Sequence, residues 1–288
     1  MEIKLAQRLV LHYYKTKLNT ISKLSPQKAA KSAFKLFCTP PSTAHRKTET
    51  PLVFQKGEKI SMRVDGIILN GFRFQSLHPN RKTVLICHGF QSNCFKFEKY
   101  VRMLIKEGFA VLAFDAPAHG LSKGKTINAS LYSKMILQIE NEFGPLHAIV
   151  AHSLGALAAS LAFEVMNDKE KKLVLIAPAT ETTTAITNFF KFVAANTKVR
   201  RAFEKYIYRI AGHPSSWYSI TRAIQNFSSK TLWLHDEHDD ACPYKDTEAI
   251  RKMELPHVEF ITTKNLGHSK IYRDSHVQKT VIDFLKVN

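Results

Sequence analysis

Four short stretches of the sequence carry residues suited to acyl-transfer chemistry, and each follows an apolar run. Ser153 stands in Ala151-His152-Ser153-Leu154-Gly155, after the apolar residues 147–151 and before a helical pattern over 154–166. A serine between a buried strand and a helix sits on a turn sharp enough to expose its hydroxyl, which suits a nucleophile. Such a turn needs small residues two before and two after the serine. Ala151 and Gly155 meet that need, with alanine where glycine is usual. The helix N-terminus behind Ser153 favours developing negative charge. A second run, 83–87, ends in His88-Gly89-Phe90-Gln91. A tetrahedral oxyanion needs backbone N–H donors, here expected from Leu154 after the serine and from Phe90 in this loop, where Gly89 permits close approach. A third, 231–235, ends in Asp236-Glu237-His238-Asp239-Asp240-Ala241-Cys242-Pro243. A carboxylate there can hold a histidine in the right tautomer, and Asp236, Asp239 and Asp240 all qualify. The loop could also be read as a metal site, but ligands crowded into one loop seldom converge, and no metal is expected. The fourth, 258–262, leads to Asn265-Leu266-Gly267-His268, in which Gly267 frees the backbone to aim His268 as general base. His152 is expected to turn away into packing, and His119 to shape its own loop.

These strand ends need a sheet to bring them together. Residues 59–64 and 67–74 flank Asp65-Gly66, a strong hairpin signal. Strands are then expected at 83–87, 109–114, 147–151, 172–177, 231–235 and 258–262, alternating with helices at 95–107, 128–143, 154–166, 247–252 and 277–286. The short apolar runs suit strands buried on both faces. A leading hairpin followed by strand–helix alternation implies an α/β fold with a mostly parallel central sheet and helices on both faces. Sites on such sheets form at the carboxyl ends of the strands. Residues 179–225 interrupt the alternation with basic, aromatic helical sequence including Phe189, Phe190, Phe192, Tyr206, Tyr208, Trp217 and Tyr218, and read as an inserted cap. Residues 1–50 read as a basic helical extension. Its stripe of Ile3, Leu5, Leu9, Val10 and Tyr13 fits either packing on the main domain or lying on a membrane surface. The expected division is therefore 1–50, a core of 51–178 with 226–288, and a cap of 179–225.

With these pieces in hand the sequence resembles the α/β-hydrolase superfamily of serine esterases and lipases. The resemblance rests on His88-Gly89-Phe90, Asp115-Ala116-Pro117-Ala118-His119-Gly120-Leu121-Ser122, the run around Ser153, Asp239 four before Pro243, and Gly267-His268, in family order over residues 58–288. It implies a Ser153–His268–Asp239 triad, with Asp240 second and Asp236 third as the acid, and a cap over the pocket. Asp239 is preferred because the family acid precedes a Val-Pro pair at the spacing that Asp239 has to Cys242-Pro243. Residues 1–50 have no counterpart in the minimal fold. A serine at the elbow suits esters, thioesters, some amides and acyl transfer. The expected activity is carboxylic-ester hydrolysis, with thioesterase, amidase or acyltransferase activity as the alternative. No cofactor is implied, because triad and oxyanion donors suffice.

Composition bounds the rest. The chain has 288 residues, with 42 Lys and Arg against 24 Asp and Glu, a net charge of +18. Residues 1–50 hold ten of the cations against Glu2 and Glu49. Such a surface attracts anions, so an anionic membrane surface joins a small ester with an apolar acyl part as an expected partner. Nucleic acid is disfavoured by the lack of a recognition motif or regular interleaving of aromatic and basic residues. A non-catalytic membrane- or anion-binding protein on the same scaffold is the alternative of another class. Cys38, Cys87, Cys94 and Cys242 show no metal or redox spacing and read as free thiols in a reducing compartment. The charged start Met-Glu-Ile-Lys makes a poor signal peptide, and no run is long enough to span a bilayer. The expected location is cytoplasmic, with peripheral membrane association.

Overall fold

The structure, a computed structural model, describes residues 5–41, 49–76 and 82–287. The first four residues, which include Ile3 of the expected stripe, and the polar segment 42–48 lie outside the described residues. The strands are β1 (Glu58–Val64), β2 (Ile67–Phe74), β3 (Thr83–Cys87), β4 (Ala110–Phe114), β5 (Leu146–His152), β6 (Lys172–Ile176), β7 (Thr231–Asp236) and β8 (Val258–Thr263). The helices are α1 (Leu5–Leu24), α2 (Pro26–Phe37), α3 (Leu52–Gln55), α4 (Glu98–Lys106), α5 (Ala129–Phe143), α6 (Leu154–Met166), α7 (Thr182–Val193), α8 (Thr197–Ala211), α9 (Ile220–Ala223), α10 (Glu248–Met253), α11 (Gly267–Lys270) and α12 (Ser275–Lys286).

One compact unit comprises residues 40–180 and 220–288. Its eight strands form one sheet in the order β1-β2-β4-β3-β5-β6-β7-β8. β1 and β2 pair antiparallel through Asp65-Gly66, and both turn residues have positive φ (47° and 79°), as a two-residue hairpin of primed type requires. β2 meets β4 antiparallel, and from β4 to β8 every pairing is parallel. β3, β5, β6 and β7 are buried almost throughout, which explains their unbroken apolar character. Asn128 caps α5 by accepting from the Leu131 N–H, and Asp274 caps α12 by accepting from His276 and Val277. The expected mostly parallel α/β architecture is the one observed. β5 extends one residue past the expected end, so His152 belongs to the strand.

The other unit comprises residues 1–39 and 181–219. In sequence, residues 1–50 read as an extension distinct from the cap of 179–225; in this unit α1 and α2 pack with α7 and α8. Aromatic rings explain the grouping. Phe34 contacts Phe203 and Tyr206, and Phe37 contacts Phe189 and Phe203, mostly edge to face. Buried Ala29, Ala30 and Ala33 let α2 approach closely. Asn196 caps α8 and ties its start to α1, donating from its backbone to Asn19 Oδ1 and from its amide to Ser22 Oγ, both at 3.0 Å. Phe189 and Phe190 of the aromatic insertion thus serve, with Phe203, the interior of this unit. Residues 220–225, expected in the insertion, belong instead with the sheet, where α9 packs on α6.

Candidate active site

β5 lies at the centre of the sheet between β3 and β6 and delivers Ser153 at its carboxyl end. Ser153 has φ 54° and ψ −120°, a left-handed φ that a side chain rarely tolerates. The turn is fixed on both sides of the residue. Its N–H donates to the Ile176 carbonyl, and its carbonyl accepts from Ala156, Leu157 and Ala179. A Cβ on Gly155 would lie 2.6 Å from the Cys87 carbonyl oxygen and 2.7 Å from that of His88, so only glycine lets α6 start this close to β3. Leu154, the first residue of α6, has an N–H without an intrahelical acceptor.

The loop after β3 lies directly against this turn. A Cβ on Gly89 would sit 3.0 Å from Ser153 Cβ and 2.9 Å from His152 Nδ1. His88 fixes the loop's backbone. Its Nε2 accepts from the Ala116 N–H at 3.0 Å, so its proton resides on Nδ1, which donates to the Gly89 carbonyl at 2.9 Å. Burial holds its pKa down to about 4, in keeping with that neutral tautomer. Because the peptide is planar, pinning the Gly89 carbonyl turns the Phe90 N–H to the opposite side. The Phe90 carbonyl in turn lies 2.6 Å from Nε2 of buried His119. Asp115 braces the neighbouring loop by accepting from the Cys94 and Leu121 N–H groups, both at 2.8 Å.

His268 is delivered by Gly267, whose φ is 59°. Its Nε2 lies 3.1 Å from Ser153 Oγ and its Nδ1 2.8 Å from Asp239 Oδ2. Buried Asp239 also accepts through Oδ1 from Ala241 and Cys242 N–H at 2.9 and 2.8 Å. Burial pushes its pKa up, but the hydrogen bond and charge of His268, with the Cys242 N–H, outweigh it and hold the carboxyl below its ordinary range. Burial opposes charge on His268, but Asp239 and Cys242 outweigh it and push its pKa up to about 10. Of the three acids weighed from the sequence, the geometry brings Asp239 to His268. Asp240 is exposed. Asp236 instead accepts from His238 N–H, Thr263 Oγ1 and Leu266 N–H, and so ties the acid loop to the loop that carries His268. Among the described residues no group of three or more His, Cys, Asp or Glu side chains could hold a metal.

Comparisons with known proteins bear on the fold. A family model described as serine aminopeptidase, S33, matches residues 78–218. YqkD of Bacillus subtilis, itself uncharacterised, is 24% identical over 220 residues, covering 72% of each chain. Among solved structures, an esterase of Pyrococcus furiosus, Pf2001, superposes with a TM-score of 0.63 at 18% identity, over 86% of this chain and 97% of its own. Est1E of Butyrivibrio proteoclasticus, solved with ferulic acid, gives 0.60 at 20% identity, over 79% and 96%. The chain has the α/β-hydrolase fold. Among its described residues no helix is long and apolar enough to cross a membrane.

Two side chains of the site take places that the sequence did not disclose. His152 is buried, as expected, but it does more than pack. Its Nε2 donates to the His268 carbonyl at 3.0 Å, linking the serine turn to the histidine loop. Burial holds its pKa down to about 3, and its Nδ1 has no partner among the described residues. Cys242 places Sγ 3.9 Å from Ser153 Oγ. The only signal for Cys242 was its position three residues after Asp239. The signal for His152 was its place beside the serine, which spacing alone reads as packing.

Proposed function

We propose that this α/β-hydrolase cleaves carboxylic esters through an acyl-enzyme on Ser153. The observation that carries the reading is the continuous relay of Ser153 Oγ, His268 and Asp239 at 3.1 and 2.8 Å. As Ser153 Oγ bonds to the carbonyl carbon, its proton passes to His268 Nε2. Asp239 holds Nδ1–H and stabilises the imidazolium. The Leu154 and Phe90 N–H groups receive the oxyanion, a role supported by Gly89 lying against Ser153. Collapse breaks the C–O bond, and His268 gives its proton to the departing alkoxide. Water then repeats the sequence, releasing the acid and restoring Ser153. The Pyrococcus furiosus protein of the same fold is an esterase, which supports an ester as substrate.

Amide cleavage is the second reading, favoured by the serine aminopeptidase description of the matching family model. A fluorophosphonate probe with peptide mass spectrometry tests what both readings share. Modification at Ser153 that collapses in His268→Ala is the expected result. A folded, monodisperse protein that fails to label overturns the reading. Turnover of p-nitrophenyl esters in preference to aminoacyl anilides then separates ester from amide hydrolysis.

A further inference from the structure

The charge of this protein is segregated. The helical unit of residues 1–39 and 181–219 carries fourteen Lys and Arg against Glu2, Glu181 and Glu204, eleven of the chain's eighteen net positive charges in about a quarter of its length. From residue 12 onward all of this unit's Lys and Arg side chains are exposed. Among the described residues none lies within ion-pair distance of a carboxylate. The helices of the sheet unit differ in part: Arg102–Glu98, Lys252–Glu248 and Lys279–Asp283 pair along their helices, although among the described residues exposed Lys99 and Lys106 of α4 do not.

The unpaired cations are also arranged. On α2, Lys28, Lys31 and Lys35 follow one exposed face, and on α8 Lys198, Arg201 and Lys205 do the same, each at spacings of three and four residues. The ring pairs Phe34–Tyr206 and Phe37–Phe203 lay these two helices antiparallel, so the rows run along neighbouring helices. The unit also exposes large apolar side chains: Tyr208, three residues after Lys205 on the α8 row, and elsewhere Tyr13, Leu24, Phe192 and Ile210, together half of the large hydrophobic residues exposed among the described residues. A phosphate backbone would require the cations but not Leu24 or Phe192. A bilayer with anionic headgroups takes both, the cations at its phosphates and the apolar side chains at the acyl boundary.

We infer that the helical unit is a docking surface for anionic lipid bilayers, using the cation rows of α2 and α8 together with its exposed apolar side chains. The inference stands whether or not Ser153 cleaves esters. The full chain is sedimented with vesicles of phosphatidylcholine alone and of phosphatidylcholine with 30% phosphatidylglycerol, across a salt series. Two variants are compared, one changing Lys28, Lys31 and Lys35 to Glu and one changing Lys198, Arg201 and Lys205 to Glu. Circular dichroism verifies their fold, and Ser153 labelling reports on the other unit. The expected result is binding confined to the anionic vesicles, weakened by salt, and reduced roughly a hundredfold or more by each triple change, from about fivefold per cation. Phe192→Ala with Tyr208→Ala is expected to weaken vesicle binding further without changing its salt dependence. Equal binding to both vesicle types, or triple variants that bind like wild type, overturns the inference. So does tighter binding to a duplex or single-stranded oligonucleotide than to the anionic vesicles, which would assign the surface to nucleic acid.

Discussion

Replacing Ser153 by glycine should stabilise this protein relative to replacing it by alanine, reversing the usual order of those two residues. Both substitutions remove the hydroxyl and its contact with His268, so their difference isolates the backbone. At φ 54° and ψ −120° a Cβ carries strain of about 1–3 kcal/mol. In an ordinary position glycine is the less stable of the two by roughly 0.5–1 kcal/mol, because it loses more freedom on folding. The difference leaves Ser153→Gly about 0.5–2 kcal/mol more stable than Ser153→Ala. Trp233, fully buried in β7, reports the sheet unit in urea unfolding, and a Trp217→Phe background removes the other tryptophan, which belongs to the helical unit. Asn167 serves as control, since its φ 43° and ψ 45° form an ordinary left-handed helix end that asparagine tolerates, and Asn167→Gly should change little. If the alanine variant equals or exceeds the glycine variant at the same denaturant slope, the elbow is unstrained and the argument for why Ser153 stands clear of its strand fails.

Three further outcomes follow from the site. Asp239→Asn is expected to slow fluorophosphonate labelling of Ser153 by about 10²–10⁴-fold, while exposed Asp240→Asn stays within about twofold; equal losses would reassign the acid. Labelling needs neutral His268, so its rate should rise with pH through a midpoint above the ordinary imidazole value of 6.5, and Cys242→Ala should move that midpoint down; a midpoint at or below 6.5 in wild type refutes the electrostatic reading. The same raised pKa means that stability contributed by His268 is fully present below pH 6.5 and is lost as pH climbs toward 10, whereas the lowered Asp239 contributes above 3.8 and loses its share as pH falls through its folded value, both readable in urea midpoints across pH. His152→Phe keeps a ring but loses the bond to the His268 carbonyl, and should slow labelling about fivefold, from a hydrogen bond of about 1 kcal/mol, with the pH midpoint unmoved; an unchanged rate would reduce His152 to packing.

What could be read in advance was whatever has a period or a fixed place in the chain. The buried strands appear as unbroken apolar runs because both of their faces are covered, and Asp65-Gly66 marks the hairpin because two successive positive φ angles favour such residues. Strand ends therefore located all four chemical stretches, since residues at the carboxyl ends of one sheet share an edge however distant they are in sequence. Distances along that edge were not legible. Asp236, Asp239 and Asp240 have equivalent chemistry. What separates them is that Asp239 is aimed by two backbone N–H groups at a histidine twenty-nine residues on, while Asp236 is drawn to the Thr263 hydroxyl.

The grouping of the helices was hidden for a related reason. Phe34 and Phe37 lie in one amphipathic helix and Phe189 and Phe203 in two others, about 150 residues later, and nothing in the period of a helix names its partner. Read alone, the first stripe suited packing on the sheet unit or lying on a membrane as two exclusive choices. Once α2 buries its alanines and aromatic rings against α7 and α8, its lysine face is left over with no carboxylate among the described residues to neutralise it. Packing of the apolar face and presentation of the basic face are then parts of one arrangement, and the cation rows of α2 and α8 exist as a surface only because the rings between them join the two helices.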